Sequence, residues 1–213
     1  KVGNTNIQLS PGPIKDYSLA MPLVAFIKNQ DAVALELVNT ETGTSQRLNV
    51  SGYGPVVSVS LSADKKQLFF LGKYDTKTNN AGLYVSPLAA FSPRLIVETK
   101  ASAVKTMTGN VVLLITESEA QDKSLFVVYD HNLKAQIASV RGNNSAVSPD
   151  ATGVAVVSSQ TLWTIDTKAK TKNSTGAASG TIVSWVNNER LIVFTNKHPG
   201  VEIYTLNAKT FEA

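Results

Sequence analysis

The amino-acid sequence predicts an all-β chain, folded as a β-propeller of four-stranded antiparallel blades. Three observations lead to this fold class. Short apolar runs recur about every 8 to 12 residues with turn-forming residues between them, which is typical of antiparallel β-proteins. No window of about 11 or more residues combines helical periodicity with helix caps. Similar segments also return roughly every 40 residues, which is the length of one propeller blade.

The long repeat is carried by segments in which an aliphatic or aromatic residue opens a short strand. The segments begin at Leu35, Leu83, Phe126, Leu162 and Ile203, so their spacings are 48, 43, 36 and 41 residues. Five repeats are therefore predicted, over residues 14–54, 55–100, 101–142, 143–179 and 180–213 of a single domain.

Each repeat has the same order of strands. An inner strand is followed by a very apolar second strand, a half-covered third strand and a polar outer strand, because neighbouring blades cover the second strand on both faces. In the second repeat the predicted strands are Val56–Leu61, Leu68–Leu71, Leu83–Ser86 and Arg94–Glu98. In the fourth they are Ser145–Val147, Val154–Val157, Leu162–Asp166 and a weak outer strand near Lys172.

The fifth repeat is predicted to lack its outer strand. A propeller commonly closes its ring with a strand from the other end of the chain, since open edges promote aggregation. Residues 1–13 are the candidate closing segment, with Asn6–Ser10 as the strand. The repeats suit either a five-bladed ring or a portion of a propeller with about six to eight blades, and a first residue of Lys1 rather than Met favours the portion.

Two repeats resemble those of the TolB-like propellers, a WD-repeat-like family. Val147-Ser148-Pro149-Asp150 precedes an apolar strand and then Leu162-Trp163, and Leu61-Ser62-Ala63-Asp64 precedes Leu68–Leu71 and then Leu83-Tyr84. The fifth repeat has Asn187-Asn188 at the turn, the first and third lack the Ser-x-x-Asp turn, and no Trp-Asp dipeptide closes a strand. The resemblance implies a propeller fold and a scaffolding role, and it brings no catalytic residues. It also implies the bacterial cell envelope, periplasmic or extracellular, as the location.

Composition narrows the function classes. The 213 residues carry 20 Lys and Arg against 16 Asp and Glu, a net charge of +4, and no cysteine. Disulfide scaffolds, thiolate metal sites and cysteine nucleophiles are thereby excluded. The longest apolar stretch, Leu19–Ile27, is too short to span a bilayer, so no transmembrane segment is predicted. Aromatic residues make up 7% and basic residues form no stripe, which disfavours nucleic acid as a partner.

No catalytic or metal-binding constellation is predicted. Asp64 and Asp150 lie at turns, where a carboxylate usually accepts bonds from backbone N–H groups. The only histidines, His131 and His198, should lie at opposite edges of the sheets, and two histidines alone do not complete a metal site. Nucleophile-elbow, dinucleotide and P-loop motifs are missing, so no cofactor is expected. We expect Trp163 and Trp185 to serve in packing.

The sequence therefore favours a non-enzymatic module that docks a protein or peptide partner on its loop face. Lys73–Gly82 is predicted to be the longest loop on that face. One alternative is a propeller hydrolase or lactonase with a metal in the central channel, although the inner strands begin with Val56, Ser102, Ser145 and Thr181, which are poor ligands. The other is the non-catalytic propeller portion of a larger peptidase. The predicted partner-binding residues are Lys28, Tyr53, Lys73, Tyr74, Lys100, Arg141 and His198.

Overall fold

The described chain is built almost entirely from β-strands. A computed structural model describes residues 12–28, 31–75, 80–118, 120, 124–158, 161–175, 182–197 and 200–212. Within these ranges there is no α-helix, and a single 3-10 turn, η1, covers Ser51–Tyr53. Consecutive strands pair antiparallel, as expected for apolar runs separated by short turns.

The described strands form five antiparallel sheets. Sheet 1 contains β1 (Ile14–Ala20), β2 (Leu23–Lys28), β3 (Asp31–Asn39) and β4 (Ser45–Asn49). Sheet 2 contains β5 (Val56–Leu61), β6 (Gln67–Asp75), β7 (Asn80–Pro87) and β8 (Arg94–Thr99). Sheet 3 contains β9 (Ala103–Thr106), β10 (Val111–Thr116), β11 (Ser124–Asp130) and β12 (Ala135–Gly142). Sheet 4 contains β13 (Asn144–Val147), β14 (Gly153–Val157), β15 (Leu162–Asp166) and β16 (Thr171–Thr175). Sheet 5 contains β17 (Ile182–Trp185), β18 (Arg190–Lys197) and β19 (Gly200–Asn207).

Each sheet lies inside one of the segments expected to form a repeat. The predicted strands Val56–Leu61 and Leu162–Asp166 have the observed bounds of β5 and β15. Sheet 5 has three strands within the described residues, and the closing strand predicted over Asn6–Ser10 lies outside them. The prediction of a long loop over Lys73–Gly82 is wrong, because β6 continues to Asp75 and β7 begins at Asn80.

The chain divides into two compact units, Lys1–Thr106 and Met107–Ala213, a division that the repeat pattern does not indicate. In unit 1, sheets 1 and 2 pack through Ile27, Leu35 and Leu48 on one side and Leu68 and Phe70 on the other. All five side chains are at most 4% exposed. Burying aliphatic and aromatic side chains of this size stabilises each by about 1.5–3 kcal/mol, so this cluster contributes strongly to the stability of unit 1.

Polar side chains connect the inner strands of unit 1. The Ser58 hydroxyl and the Val59 N–H both donate to an Asp16 carboxylate oxygen, at 2.7 and 2.9 Å. The Val104 N–H donates to the Ser58 hydroxyl at 3.1 Å, and the Ser60 hydroxyl accepts from the Thr106 N–H at 2.8 Å. Hydrogen-bonded buried polar groups fix how these strands are aligned with one another, because a shift of one strand along its neighbour would leave the groups without their partners.

Unit 2 has a matching core between sheets 4 and 5. Val157 and Leu162 of sheet 4 pack against Leu191 and Val193 of sheet 5, and all four are fully buried. Trp185 joins this cluster, and its indole N–H donates to the Ala146 carbonyl at 3.0 Å. The expectation that Trp185 serves in packing is met by this arrangement.

The turns that follow the third strand in sheets 1, 3, 4 and 5 repeat one hydrogen-bond pattern. In each of these four turns, a side-chain oxygen at the strand end accepts the N–H groups two and three residues later, which is an Asx turn. Distances run from 2.8 to 3.2 Å at Asn39, Asp130, Asp166 and Asn207. The Asp or Asn that ends the third strand in these sheets therefore has a structural role.

Candidate functional site

The predicted loop-face residues of unit 1 lie at one edge of sheets 1 and 2. Lys28 ends β2, Tyr53 belongs to η1, Lys73 and Tyr74 lie near the end of β6, and Lys100 follows β8. In a sheet whose antiparallel strands follow one another in sequence order, the C-terminal ends of the second and fourth strands lie at the same edge of the sheet. Topology thus brings these backbone positions to one edge, and the side chains of Lys73 and Tyr74 lie outside the described residues.

Tyr53 is a packing residue rather than a freely exposed one. Its ring is half-buried and makes edge contacts with Phe70, at 5.8 Å between centroids, and with Tyr84, at 4.9 Å. Gly72 lets η1 come this close, since a Cβ there would lie 2.5 Å from the Tyr53 carbonyl oxygen. Sequence reasoning missed this role because no local pattern marks a glycine that permits a close contact.

Of the remaining predicted residues, Lys28, Lys100 and Arg141 lie in the described part of the chain. The Lys28 ammonium pairs with the Glu36 carboxylate at 3.4 Å. Lys100 and Arg141 are exposed, the latter near the end of β12 in unit 2. His198 lies outside the described residues. The seven-residue site remains a prediction.

Asp64 closes the turn between the first two strands of sheet 2. The Ser62 hydroxyl donates to its carboxylate at 2.6 Å and the Lys66 N–H at 3.1 Å, and these bonds lower the pKa of Asp64. The carboxylate thus caps a turn, as the sequence indicates.

Asp150 closes the equivalent turn of sheet 4. Burial by itself raises the pKa of Asp150, but bonds from the Ser148 hydroxyl and from the N–H and hydroxyl of Thr152 outweigh it and leave the pKa lowered. These donors lie 2.7 to 3.1 Å away. A carboxylate held ionised by its own turn is poorly suited to proton transfer near neutral pH.

His131 is 1% exposed, and its backbone N–H donates to the Asn110 carbonyl. Its position in the turn after β11 makes it part of the core of unit 2. Among the described residues, no group of three or more His, Asp or Glu side chains could hold a metal ion. Nor is any helix in the described ranges long and apolar enough to cross a membrane.

Unit 2 contains a cleft of about 510 Å³ between sheets 4 and 5. This volume lies in the range of small-ligand and peptide-anchor sites. The cleft is lined by Asp150, Thr152, Gly153, Thr164, Ile165, Asp166, Lys168, Ala169, Thr171, Asn173, Trp185, Asn188, Glu189, Ala208 and Lys209. Sequence reasoning missed it because these residues come from turns and strands of two sheets that lie far apart in the sequence.

The inner part of the cleft is a fixed frame. The buried Thr164 hydroxyl donates to the Ala208 carbonyl at 2.8 Å, and the Asp150 N–H donates to the Asn188 side-chain oxygen at 3.0 Å. Gly153 leaves room for Trp185, whose Cη2 would lie 3.0 Å from a Cβ at that position. The Thr164 hydroxyl and the backbone N–H of Asp150 are therefore committed to the frame.

The rim of the cleft carries both signs of charge. Asp166 and Glu189 lie there with Lys168 and Lys209, and the exposed amide side chain of Asn173 faces the same space. Mixed charges and amides can pair with polar groups of either sign, including the main chain of a peptide. This arrangement suits binding.

Comparisons with known proteins identify the fold. No protein-family model and no curated protein matches the sequence. Among solved structures, the chain is similar to the β-propeller domain of the Trilobed protease from Pyrococcus furiosus, with a TM-score of 0.65 and 14% identity, over 92% of this chain and 68% of that one. It is also similar to an acylaminoacyl peptidase in complex with Z-Gly-Gly-Phe-chloromethyl ketone, with a TM-score of 0.62 and 15% identity, over 92% of this chain and 38% of that one. TolB from Acinetobacter baumannii matches with a TM-score of 0.53 and 15% identity, over 92% of this chain and 52% of that one.

These likenesses confirm the predicted fold class, a β-propeller of antiparallel sheets, and are consistent with the TolB-like resemblance. At such identities they show the fold alone. The chain spans about two thirds of the first neighbour and well under half of the peptidase.

Proposed function

We propose that this chain is a non-enzymatic binding module that docks a protein or peptide partner, and that the cleft of unit 2 is a docking site. The observation that carries the proposal is the contrast within the cleft. Its frame residues Thr164 and Asp150 are hydrogen-bonded to the fold, whereas the rim offers unlike charges and amides. A site of this kind recognises polar groups without activating them.

A peptide array probed with the purified chain tests this proposal. Sequences that bind should lose affinity about tenfold or more when Lys168 and Lys209 are both changed to Glu, because the rim then carries acidic groups alone. Lys105→Glu is the matched control, since Lys105 is exposed on β9 and lies outside the cleft. Equal binding by the double variant and the control would refute the cleft as the site.

The loop-face prediction can be tested on the same array. Tyr74→Ala and Arg141→Ala remove two of the residues proposed from the sequence. If partner binding persists in both variants while the cleft variant loses it, docking belongs to the cleft. If the two alanine variants lose it, docking belongs to the loop face.

A second candidate is that the chain is the non-catalytic propeller portion of a larger peptidase. The alignment with acylaminoacyl peptidase supports it, because 92% of this chain covers 38% of that protein. An antibody against the chain should then detect, in the source cells, a polypeptide much larger than 22.7 kDa that a chloromethyl ketone probe labels. A band at 22.7 kDa that the probe leaves unlabelled would contradict this candidate.

We also propose a place of action in the bacterial cell envelope, periplasmic or extracellular. The TolB-like turns Ser62-Ala63-Asp64 and Ser148-Pro149-Asp150 support this location through the resemblance. Immunodetection after osmotic-shock fractionation tests it, and recovery of the protein solely in the cytoplasmic fraction would contradict it.

A further inference from the structure

The cleft between sheets 4 and 5 carries charged groups that the fold does not use. The charged side chains that line it are Asp150, Asp166, Lys168, Glu189 and Lys209. The carboxylates of Asp150 and Asp166 accept hydrogen bonds inside their own turns. Glu189, Lys168 and Lys209 are exposed, and none of them forms an ion pair with another described residue. One carboxylate and two ammonium groups are therefore left for a ligand.

The backbone that carries these three groups is held in place by hydrogen bonds. Ala208 connects the two sheets, because its carbonyl accepts the Thr164 hydroxyl at 2.8 Å and its N–H donates to the Glu189 carbonyl at 2.7 Å. Lys209 follows Ala208 directly in the chain. On the sheet 4 side, the Lys168 N–H donates to the carboxylate that ends β15, at 2.9 Å. Because their backbone is already ordered, these groups lose less conformational entropy when they bind a ligand.

Trp185 and Glu189 together suit a cation. Trp185 ends β17 and Glu189 lies just before β18, so one turn carries both. The indole is half-buried, and its N–H is committed to the Ala146 carbonyl, so the ring offers the cleft its carbon surface. Cations are attracted to the faces of aromatic rings, and most strongly to tryptophan. Unit 2 already contains one such contact, in which the Lys172 ammonium lies 4.8 Å from the centre of the Trp163 ring.

Lys168 and Lys209 together suit an anion. Lys168 lies in the turn after β15 and Lys209 in the turn after β19, so the two sheets contribute one ammonium group each. Two ammonium groups at one cleft repel each other, whereas an acidic group of a ligand attracts both. The cleft is therefore complementary to a ligand that carries charges of both signs.

We propose that the cleft selects a peptide segment in which a basic and an acidic residue lie close together in sequence. The basic side chain lies against Trp185 and Glu189, and the acidic side chain lies between Lys168 and Lys209. The two residues must be near neighbours, because a cleft of about 510 Å³ takes only a few residues. This inference rests on the proposed docking function and names the chemistry of its partner.

An amide-resolved NMR titration of the whole chain with synthetic peptides tests the inference. Each peptide consists of alanine with capped ends and carries Arg-Glu, Gln-Gln, Arg-Arg or Glu-Glu at its centre. A dissociation constant of about 0.1–1 mM is expected for the Arg-Glu peptide, since single exposed ion pairs are weak. The other three peptides should bind about threefold more weakly or worse, because each lacks at least one of the two attractions.

Variants of the rim separate the two charges of the ligand. Glu189→Gln should weaken binding of the Arg-Glu peptide about threefold and leave it no tighter than the Glu-Glu peptide. The double variant Lys168→Gln/Lys209→Gln should leave the Arg-Glu peptide no tighter than the Arg-Arg peptide. Glu98→Gln is the matched control, because Glu98 is exposed on β8 of unit 1, and this variant should bind as wild type does.

Two results would overturn the inference: a Gln-Gln peptide that binds as tightly as Arg-Glu, or a preference for Arg-Glu that survives in Glu189→Gln. Array peptides that depend on Lys168 and Lys209 but lack neighbouring unlike charges would also overturn it, while the docking function stands. If no array peptide depends on these lysines, the docking function and this inference fail together. Far-UV circular dichroism equal to wild type shows that a variant is folded.

Discussion

Replacing Gly72 by alanine tests how closely η1 approaches the second strand of sheet 2. The Cβ of the variant would lie 2.5 Å from the Tyr53 carbonyl oxygen, whereas ordinary van der Waals contact begins at 3.4 Å. The difference of about 0.9 Å must come from the backbone, since the atom that is met belongs to the main chain. Tyr53 resists such a shift, because its N–H donates to the Val50 carbonyl and its ring packs on Phe70. Overpacking of this kind costs about 1–3 kcal/mol.

Urea unfolding followed by circular dichroism measures this cost. Gly52→Ala is the control, because Gly52 lies in the same turn, is exposed and would place its Cβ with nothing within 4 Å. Its free energy of unfolding should stay within about 0.5 kcal/mol of wild type. The reasoning fails if Gly72→Ala costs no more than Gly52→Ala.

Three further predictions concern the turns and the core. Because hydrogen bonds lower the pKa of both Asp64 and Asp150 in the folded state, their stabilising contribution is full above about pH 5 and is lost as the pH falls through the folded-state pKa values. In the double variant Asp64→Asn/Asp150→Asn, the free energy of unfolding should therefore fall less than in wild type between about pH 5 and pH 2. Urea titrations at several pH values measure this, and an unchanged acid dependence would contradict the prediction. Trp185→Phe should cost about 1–3 kcal/mol, because it leaves the Ala146 carbonyl without its indole donor. Gly153→Ala should cost less in the Trp185→Phe background than in wild type, where its Cβ meets the indole at 3.0 Å, and additive costs in the double-mutant cycle would contradict the contact.

Sequence reasoning worked best where one local rule determines structure. The apolar runs at Val56–Leu61 and Leu162–Asp166 became strands with the expected bounds, because alternation and turn residues act within a few positions. The roles of Asp64 and Asp150 followed from the same short-range chemistry.

The parts that escaped prediction depend on groups far apart in the sequence. The ring contacts of Tyr53 with Phe70 and Tyr84 join residues 17 and 31 positions apart, and no periodicity marks them. The cleft combines turn and strand residues between Asp150 and Lys209 that are far apart in the sequence. The extension of β6 to Asp75 arises from pairing with β7, which overrides the polar character of that segment.

Because every described sheet is a meander, each strand finds its partner immediately before or after it in the chain. A sheet can therefore complete its hydrogen bonding as soon as its own residues have left the ribosome, without waiting for later sequence. Such short-range closure keeps the entropic barrier to pairing low for an all-β protein. An insertion or deletion of one whole sheet would also leave the strand pairing inside the other sheets intact. The number of sheets can therefore change without disturbing the hydrogen bonding of those that remain.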